Sequence, residues 1–342
     1  MTKNRKLRLL TVTLSMLFAL GIAEVLVRLS NYRPGTMDPL MYVANPNPLL
    51  PYRLQANYRG YCAGGEVTTD NDGNRRVSPT YPSRFPARQE KSVREVLILG
   101  DSGVFGFGLP DGDTVASQLQ GVCAQRNLLY DIRNVGVPGY TSWNEYAALE
   151  DYLKEHEVSD VVLLYMPNDL TFDNDYFGIG RGGYASYSGN EDRAHRLLRD
   201  FYTHVYLASL LSQGLKRAAG MLRTQAPAEE KFDQLRMQPE IDYSMAALVK
   251  IRDLCRDKRI RLSVGIYRDV AFYYDSQSWL AYEQTIQSNL AKLGIELFLA
   301  KSHIEQLRVD DVRVSLNDPH PSKRAVALIV DDIFRELARI RQ

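Results

Sequence analysis

The sequence predicts an α/β fold: a three-layer α/β/α sandwich around a mainly parallel, five-stranded, flavodoxin-like sheet, with a helical insertion and an N-terminal transmembrane helix. Three observations carry that expectation. From residue 94 onward, short apolar runs alternate with stretches of helical spacing, the β-α-β-α-β order of a doubly wound sheet with helices on both faces. The best of these runs are apolar throughout rather than every second residue, as in strands buried on both faces. Finally, a positively charged start leads into an apolar stretch long enough to cross a bilayer.

The N-terminus comes first. Lys3, Arg5, Lys6 and Arg8 precede apolar residues 9–23; Glu24 interrupts, and Val25, Leu26 and Val27 continue to Arg28. A span needs about 20 apolar residues, which this run reaches if Glu24 lies near the far interface. The charge bias puts the N-terminus in the cytoplasm. The expectation is a single-pass inner-membrane anchor with the main domain in the bacterial periplasm. Gly21-Ile22-Ala23 also has the small-x-small form of a cleaved signal, and a buried first helix is the third reading. The domain boundaries follow: 1–30 anchor or signal, 31–93 membrane-proximal, 94–342 main domain with an insertion at about 171–240. Residues 31–93 are rich in proline and are expected to wrap the domain irregularly, with one or two short strands.

Strands are expected at 95–99, 130–134, 160–166, 261–266 and 295–299, and helices at 114–126, 142–156, 241–257, 278–293 and 322–340. Ser142 followed by Glu145 reads as an N-cap and its capping-box partner. The insertion opens with Phe172, Tyr176, Phe177, Tyr184 and Tyr187. A long helix follows, with Leu198, Phe201, Val205, Ala208, Leu211 and Leu215 on one stripe, until Pro227 breaks the pattern. Such a stripe is expected to bury itself on the domain as a helical cover, with a lid or a partner surface as the alternative.

Composition narrows the function classes. The chain has 342 residues, 45% apolar and 24% charged, which suits a large globular core and excludes disorder or collagen-like structure. Forty-two Lys and Arg against 41 Asp and Glu give no basic footprint, so no nucleic-acid partner is expected. Five histidines without paired-ligand spacing argue against a metal site, and no cofactor is expected. Three cysteines, Cys62, Cys123 and Cys255, are too few for a disulfide scaffold. In an oxidising compartment one pair could bridge, although Cys255 reads equally well as a small buried apolar residue.

In an open parallel sheet, ligands bind at the carboxyl ends of the strands, so the residues after each strand carry the chemistry. Gly100-Asp101-Ser102-Gly103 follows the first strand; a serine on such a turn exposes its hydroxyl beside backbone N–H groups. Gly136, after the second, lets a backbone N–H approach a substrate oxygen. Asn168-Asp169 follows the third, and an amide there can donate to an oxyanion. Asn317-Asp318-Pro319-His320-Pro321, before the last helix, joins a carboxylate to an imidazole. A serine needs a base, and the base an orienting acceptor.

This set resembles the SGNH (GDSL-type) hydrolases, over residues of about 94–170 and 240–342. Gly100-Asp101-Ser102 is similar to the first block, which implies that Ser102 is the nucleophile and that its N–H joins the oxyanion hole. Gly136 resembles the second block and Asn168 the third, each an oxyanion donor. His320 resembles the general base of the last block. Asp101, Asp169 and Asn317 are supporting residues. Two positions depart from the pattern. Met166 stands where the third block has glycine, which would narrow the pocket or shift how Asn168 is presented. Asn317 stands where the acid of Asp-x-x-His belongs, so Asp318 is expected to be the acid, with Asp310 or Asp311 as lesser substitutes. Asp70-Asn71-Asp72-Gly73-Asn74-Arg75 loosely resembles an element of membrane-anchored relatives associated with bacterial cell-surface polysaccharides. The implied function is a serine esterase that removes acyl groups, O-acetyl first, from an extracytoplasmic glycan or an acylated small molecule. The alternatives are an O-acetyltransferase with the same residues, and a degenerate glycan-binding or assembly protein. The oligomeric state is left open.

Overall fold

The computed structural model describes residues 3–30, 32–35, 37–77, 93–170, 178–179, 185–186, 193–222, 232–267, 276–300, 307–315 and 318–339. α1 (Lys3–Leu29) is one unbroken helix. Its stretch Asn4–Leu29 has a mean hydropathy of 2.1 and an apolar window that is 0% buried, so by length and composition it can cross a membrane.

The described residues of the segment after it hold four strands rather than one or two. β1 (Tyr42–Ala44) pairs antiparallel with β2 (Tyr52–Leu54), and β3 (Arg59–Cys62) with β4 (Gly65–Thr68). Strands of three or four residues carry too little alternation to read from sequence. Met41, Tyr42, Tyr52, Leu54, Cys62 and Val67 share a core with Phe105, Val137, Tyr140 and Ala147 of the α/β domain. Two tyrosines lock that contact: Tyr52 Oη donates to the Pro138 carbonyl at 3.0 Å, and Tyr140 Oη to the Tyr52 carbonyl at 2.8 Å.

The α/β domain then runs β5 (Arg94–Leu99), α2 (Ser102–Phe105), α3 (Val115–Gln125), β6 (Tyr130–Asn134), α4 (Ser142–Tyr152) and β7 (Asp160–Tyr165). The insertion contributes a two-residue pair, β8 (Gly178–Ile179) with β9 (Ala185–Ser186), then α5 (Arg193–His204) and α6 (Tyr206–Leu222). After it come α7 (Gln238–Asp257), β10 (Arg261–Tyr267), α8 (Ser276–Lys292), β11 (Leu297–Ala300), α9 (Val309–Val312), β12 (Arg313–Ser315), β13 (Asp318–Pro321) and α10 (Lys323–Arg339).

The central sheet has the order β11-β10-β7-β5-β6, and all four pairings are parallel. Alternate residues of each strand feed opposite cores, as a period of two requires. Leu97, Leu99, Val161, Leu163 and Val264 pack under α4, α7 and α8 through Leu149, Leu248, Ile251, Tyr282 and Ile286. Val96, Ile98, Val162 and Leu164 pack under α3 and α10 through Leu119, Ala325, Val326, Ile329 and Ile333. The chain leaves β5 for β6 on one side and returns for β7 on the other. The strand order therefore reverses between β5 and β7, and their carboxyl ends flank the crevice where such sheets bind ligands.

Three expectations need correction. The N-cap of α4 is Thr141, not Ser142, and its partner is Asn144, whose Oδ1 accepts the Thr141 N–H at 2.9 Å. That one-residue shift turns Ser142 and Glu145 into the core, where both are buried. The insertion helix is two helices that meet at Val205, and its stripe is not buried: Leu198, Phe201, Leu211 and Leu215 are 50–73% exposed. No pair of cysteines bridges, because Cys62, Cys123 and Cys255 lie in three different cores. The aromatic residues that open the insertion, Phe172, Tyr176, Phe177, Tyr184 and Tyr187, lie outside the described residues.

Candidate active site

β5 delivers Asp101 and Ser102 to the crevice. Asp101 is buried and ties the serine turn to the Asn168 loop. Its Oδ1 accepts the Gly103 N–H at 2.8 Å, and its Oδ2 accepts Asn168 Nδ2 at 2.7 Å and Ser102 Oγ at 3.4 Å. Asn168 Nδ2 also approaches the Tyr140 carbonyl at 3.4 Å. Burial raises the Asp101 carboxyl above the usual range, against the pull of the Gly103 N–H, the facing His320 and the Asn168 and Ser102 side chains.

β13 delivers the imidazole. His320 Nδ1 lies 2.6 Å from Asp318 Oδ1, and the same oxygen accepts the His320 backbone N–H at 3.0 Å. The ring stacks on Phe107, centroids 4.3 Å apart and planes at 25°. With Nδ1–H held by a carboxylate, Nε2 is the nitrogen left to take a proton. β13 packs against α2, so the His320 hairpin and the Ser102 turn occupy one edge of the fold. The acid beside the histidine is therefore Asp318. Asn317 lies outside the described residues, as does the Asp310 side chain. Asp311 faces Arg308 and Arg324 instead.

Gly136 comes close to α2 rather than standing open. A Cβ there would lie 2.4 Å from the Phe105 nitrogen and 2.7 Å from Val104 Cγ1, which is why glycine is needed. Its N–H donates to Asn134 Oδ1 at 3.1 Å, while Asn134 Nδ2 donates to the Val104 carbonyl at 3.0 Å. Met166, the residue off pattern, is buried, and its Sδ lies 2.9 Å from where a Cβ on Gly103 would be. It thus fills the space behind the serine turn.

Sequence reasoning missed two features. Behind Asn168, Asp169 and Glu145 are both fully buried. Asp169 Oδ2 accepts the Met166 N–H at 2.7 Å. Neither Glu145 carboxylate oxygen accepts a hydrogen bond among the described residues. Burial first, and then the charges of Asp169 and Asp101 on Glu145 and of Asp101 on Asp169, push both carboxyls well above their ordinary values, while the Met166 N–H pulls Asp169 the other way. The available signal, an acidic residue among apolar ones in α4, was absorbed by the capping-box reading. The second is Arg75, whose guanidinium is wholly buried. It meets Asp111 at 3.0 Å and donates to the carbonyls of Phe105 and Gly106 at 2.7 Å, Glu66 at 2.9 Å and Leu109 at 2.5 Å. It thereby holds the loop that carries Phe107 under His320. Its signal was the 70–75 element, read from sequence only as a pointer to substrate.

Among the described residues one cluster, Asp72, Glu155 and His156, has ligand-type atoms within 4.8 Å of one another. It follows α4 at the opposite end of the sheet from Ser102, and His156 there already meets Asp72 at 3.3 Å and stacks on Tyr152.

No protein-family model matches the chain, and no curated protein does. Among solved structures, it is similar to the psychrotrophic esterase EstA from Pseudoalteromonas sp. (15% identity, TM-score 0.42, covering 72% of this chain and 98% of that one). It is similar to a member of the lipolytic protein G-D-S-L family from Veillonella parvula (14% identity, TM-score 0.41, 72% and 100%). It is also similar to the acetyl xylan esterase AlAXEase (12% identity, TM-score 0.42, 71% and 99%).

Proposed function

We propose that the chain is a membrane-anchored serine ester hydrolase of SGNH type, which removes acyl groups, O-acetyl first, from an extracytoplasmic glycan. One observation carries the reading: the 2.6 Å Asp318–His320 pair stands on the element packed against the Ser102 turn, with Asn168 reaching the same turn through Asp101. A positioned base, its orienting acid, a hydroxyl and an amide donor are the parts that acyl transfer through serine needs.

In this mechanism, Ser102 Oγ turns from Asp101 toward His320 and attacks the ester carbonyl carbon as its proton passes to Nε2. Asp318 holds the tautomer and stabilises the imidazolium. The oxyanion is met by the Ser102 N–H and by Asn168 Nδ2; the Gly136 N–H joins once it leaves Asn134. Collapse breaks the C–O bond, and the leaving alcohol takes the proton from Nε2. Water then attacks the acyl-serine by the same base, releasing the carboxylic acid and restoring Ser102. Catalytic contacts that are long in the free protein commonly tighten around substrate. The glycan preference rests on the resemblance of residues 70–75, and the periplasmic site on the charge bias around α1.

The test is fluorophosphonate labelling of the full chain in detergent, followed by acetate release from an O-acetylated glycan. Labelling abolished by Ser102→Ala, together with acetate release, supports the reading. An unlabelled wild-type chain that still binds glycan would overturn it in favour of a binding protein. Acetyl moved to a second glycan, without free acetate, would replace hydrolysis by transfer.

A further inference from the structure

The two insertion helices meet α1 where its apolar stretch ends. Glu24 accepts the backbone N–H groups of Tyr206 and Leu207 at 3.0 and 2.8 Å, so a residue of α1 caps the N-terminus of α6. Arg28 donates to the His204 carbonyl at 2.6 Å and lies 4.8 Å over the Tyr206 ring. Tyr32 Oη and Ser209 Oγ are 2.9 Å apart, and Tyr61 Oη donates to the Thr203 carbonyl at 2.7 Å. The corner between α5 and α6 is thus bonded to the end of α1 and to β3. It also accounts for the lone acid in the apolar run, since Glu24 is committed to these partners rather than to lipid.

Beside that corner the apolar side chains point outward. Leu197, Leu198 and Phe201 of α5 are 61, 52 and 50% exposed, and Leu211 and Leu215 of α6 are 59 and 73% exposed. Spacings of three and four gather them on one face of each helix. The two helices also carry Arg193, Arg196, Arg199, Lys216 and Arg217 against a single acid, Asp200. Exposed leucine and phenylalanine on helices whose sequence is rich in arginine and lysine suit the headgroup layer of an anionic bilayer, and tyrosines at the junction suit the membrane interface.

We infer that α5 and α6 form an interfacial pair lying on the same bilayer that α1 crosses, with Leu197, Leu198, Phe201 and Leu211 in the acyl boundary. The occupant of this face is lipid, because the corner between the two helices is bonded to the membrane end of α1 and the helices are basic in sequence, five Lys and Arg against one acid, which complements anionic headgroups. The inference rests on α1 spanning the membrane and is independent of the chemistry at Ser102. It gives the domain a second, lateral attachment beyond a single stalk.

The experiment uses the full chain in vesicles of equal parts phosphatidylethanolamine and phosphatidylglycerol. Single cysteines replace Leu198, Phe201 or Leu211, with Leu14→Cys on α1 and Asp257→Cys at the end of α7 as references, and each carries a nitroxide. The native cysteines are buried and stay unlabelled in the folded chain. Collision rates are read with oxygen, which concentrates in lipid, and with a nickel chelate, which stays in water. At positions 198, 201 and 211 oxygen is expected to exceed nickel severalfold, as at position 14, and the reverse is expected at 257. Nickel-dominated values at the three positions would overturn the inference. So would low collision with both reagents, which would mean a protein partner on this face.

Discussion

A single proline separates Asp318 from His320, and that spacing lets one carboxylate oxygen take both the ring Nδ1 and the backbone N–H of the same histidine. Asp318→Asn keeps the shape but loses the preference for the tautomer with Nδ1 protonated. It is expected to lower kcat on the order of 10⁴-fold in an ester-hydrolysis assay. Asn168→Ala is expected to cost about 10²- to 10³-fold as an oxyanion donor is removed; a wild-type rate in that variant would remove Asn168 from the mechanism. Glu145 acts through stability. Its folded carboxyl is raised above the ordinary 4.5, by burial first, so the fold favours the protonated form. The stability it contributes is complete below the ordinary value and is lost as pH rises through the raised one. Glu145→Gln is therefore expected to raise Tm near pH 8 and leave it almost unchanged near pH 4, read by thermal unfolding at the two pH values.

At the scale of elements, the site depends on how short pieces are held. α2 is a single turn with Asp101 as its cap and Gly106, at φ +84°, as its end, so little of its position comes from helix formation itself. Arg75 supplies what the turn lacks, reaching from the segment after β4 to the carbonyls that follow Ser102. Arg75→Met removes one member of a buried ion pair and orphans several carbonyls. A loss of about 3–5 kcal/mol is expected in urea unfolding, and fluorophosphonate labelling of Ser102 should fall with it. The same scale explains what could be read in advance. The five strands were legible because each is a local apolar run. β1 to β4 were not, because three or four residues leave no period to detect. The start of α4 was misread by one residue, because Thr141-Ser142 and Asn144-Glu145 offer two capping registers, and only packing against β7 and α7 decides which pair faces inward.

At the scale of the whole molecule, the described chain is a doubly wound domain whose N-terminal hairpins share its core and whose first helix is bare along its apolar window and meets α6 near its end. Carrying three reduced thiols in three separate cores, the folded chain is expected to give no intramolecular bridge. Mass measurement after alkylation should show no modification in the native state and three modified cysteines after denaturation; burial raises the Cys255 thiol to about 12, which further slows reaction. The charge bias around α1 makes a topology prediction: a C-terminal alkaline phosphatase fusion should be active in intact bacteria and a β-galactosidase fusion inactive, and the opposite pair of results would reverse the orientation.

What the sequence by itself determined is the layered α/β architecture, the apolar N-terminal helix and the loops that carry Ser102, Gly136, Asn168 and His320. These follow from local periodicity and from the rule that parallel strands present ligands at their carboxyl ends. The tertiary structure alone decided that Gly136 is needed for close approach to α2 and that Glu145 and Asp169 are both buried behind Asn168. It also decided that Arg75 holds the serine loop and that the insertion's leucines face outward. Each of these depends on which faces meet across long stretches of chain. Spacing along a sequence reports the face a residue shares, while its partner is set by the packing of elements far apart in that sequence.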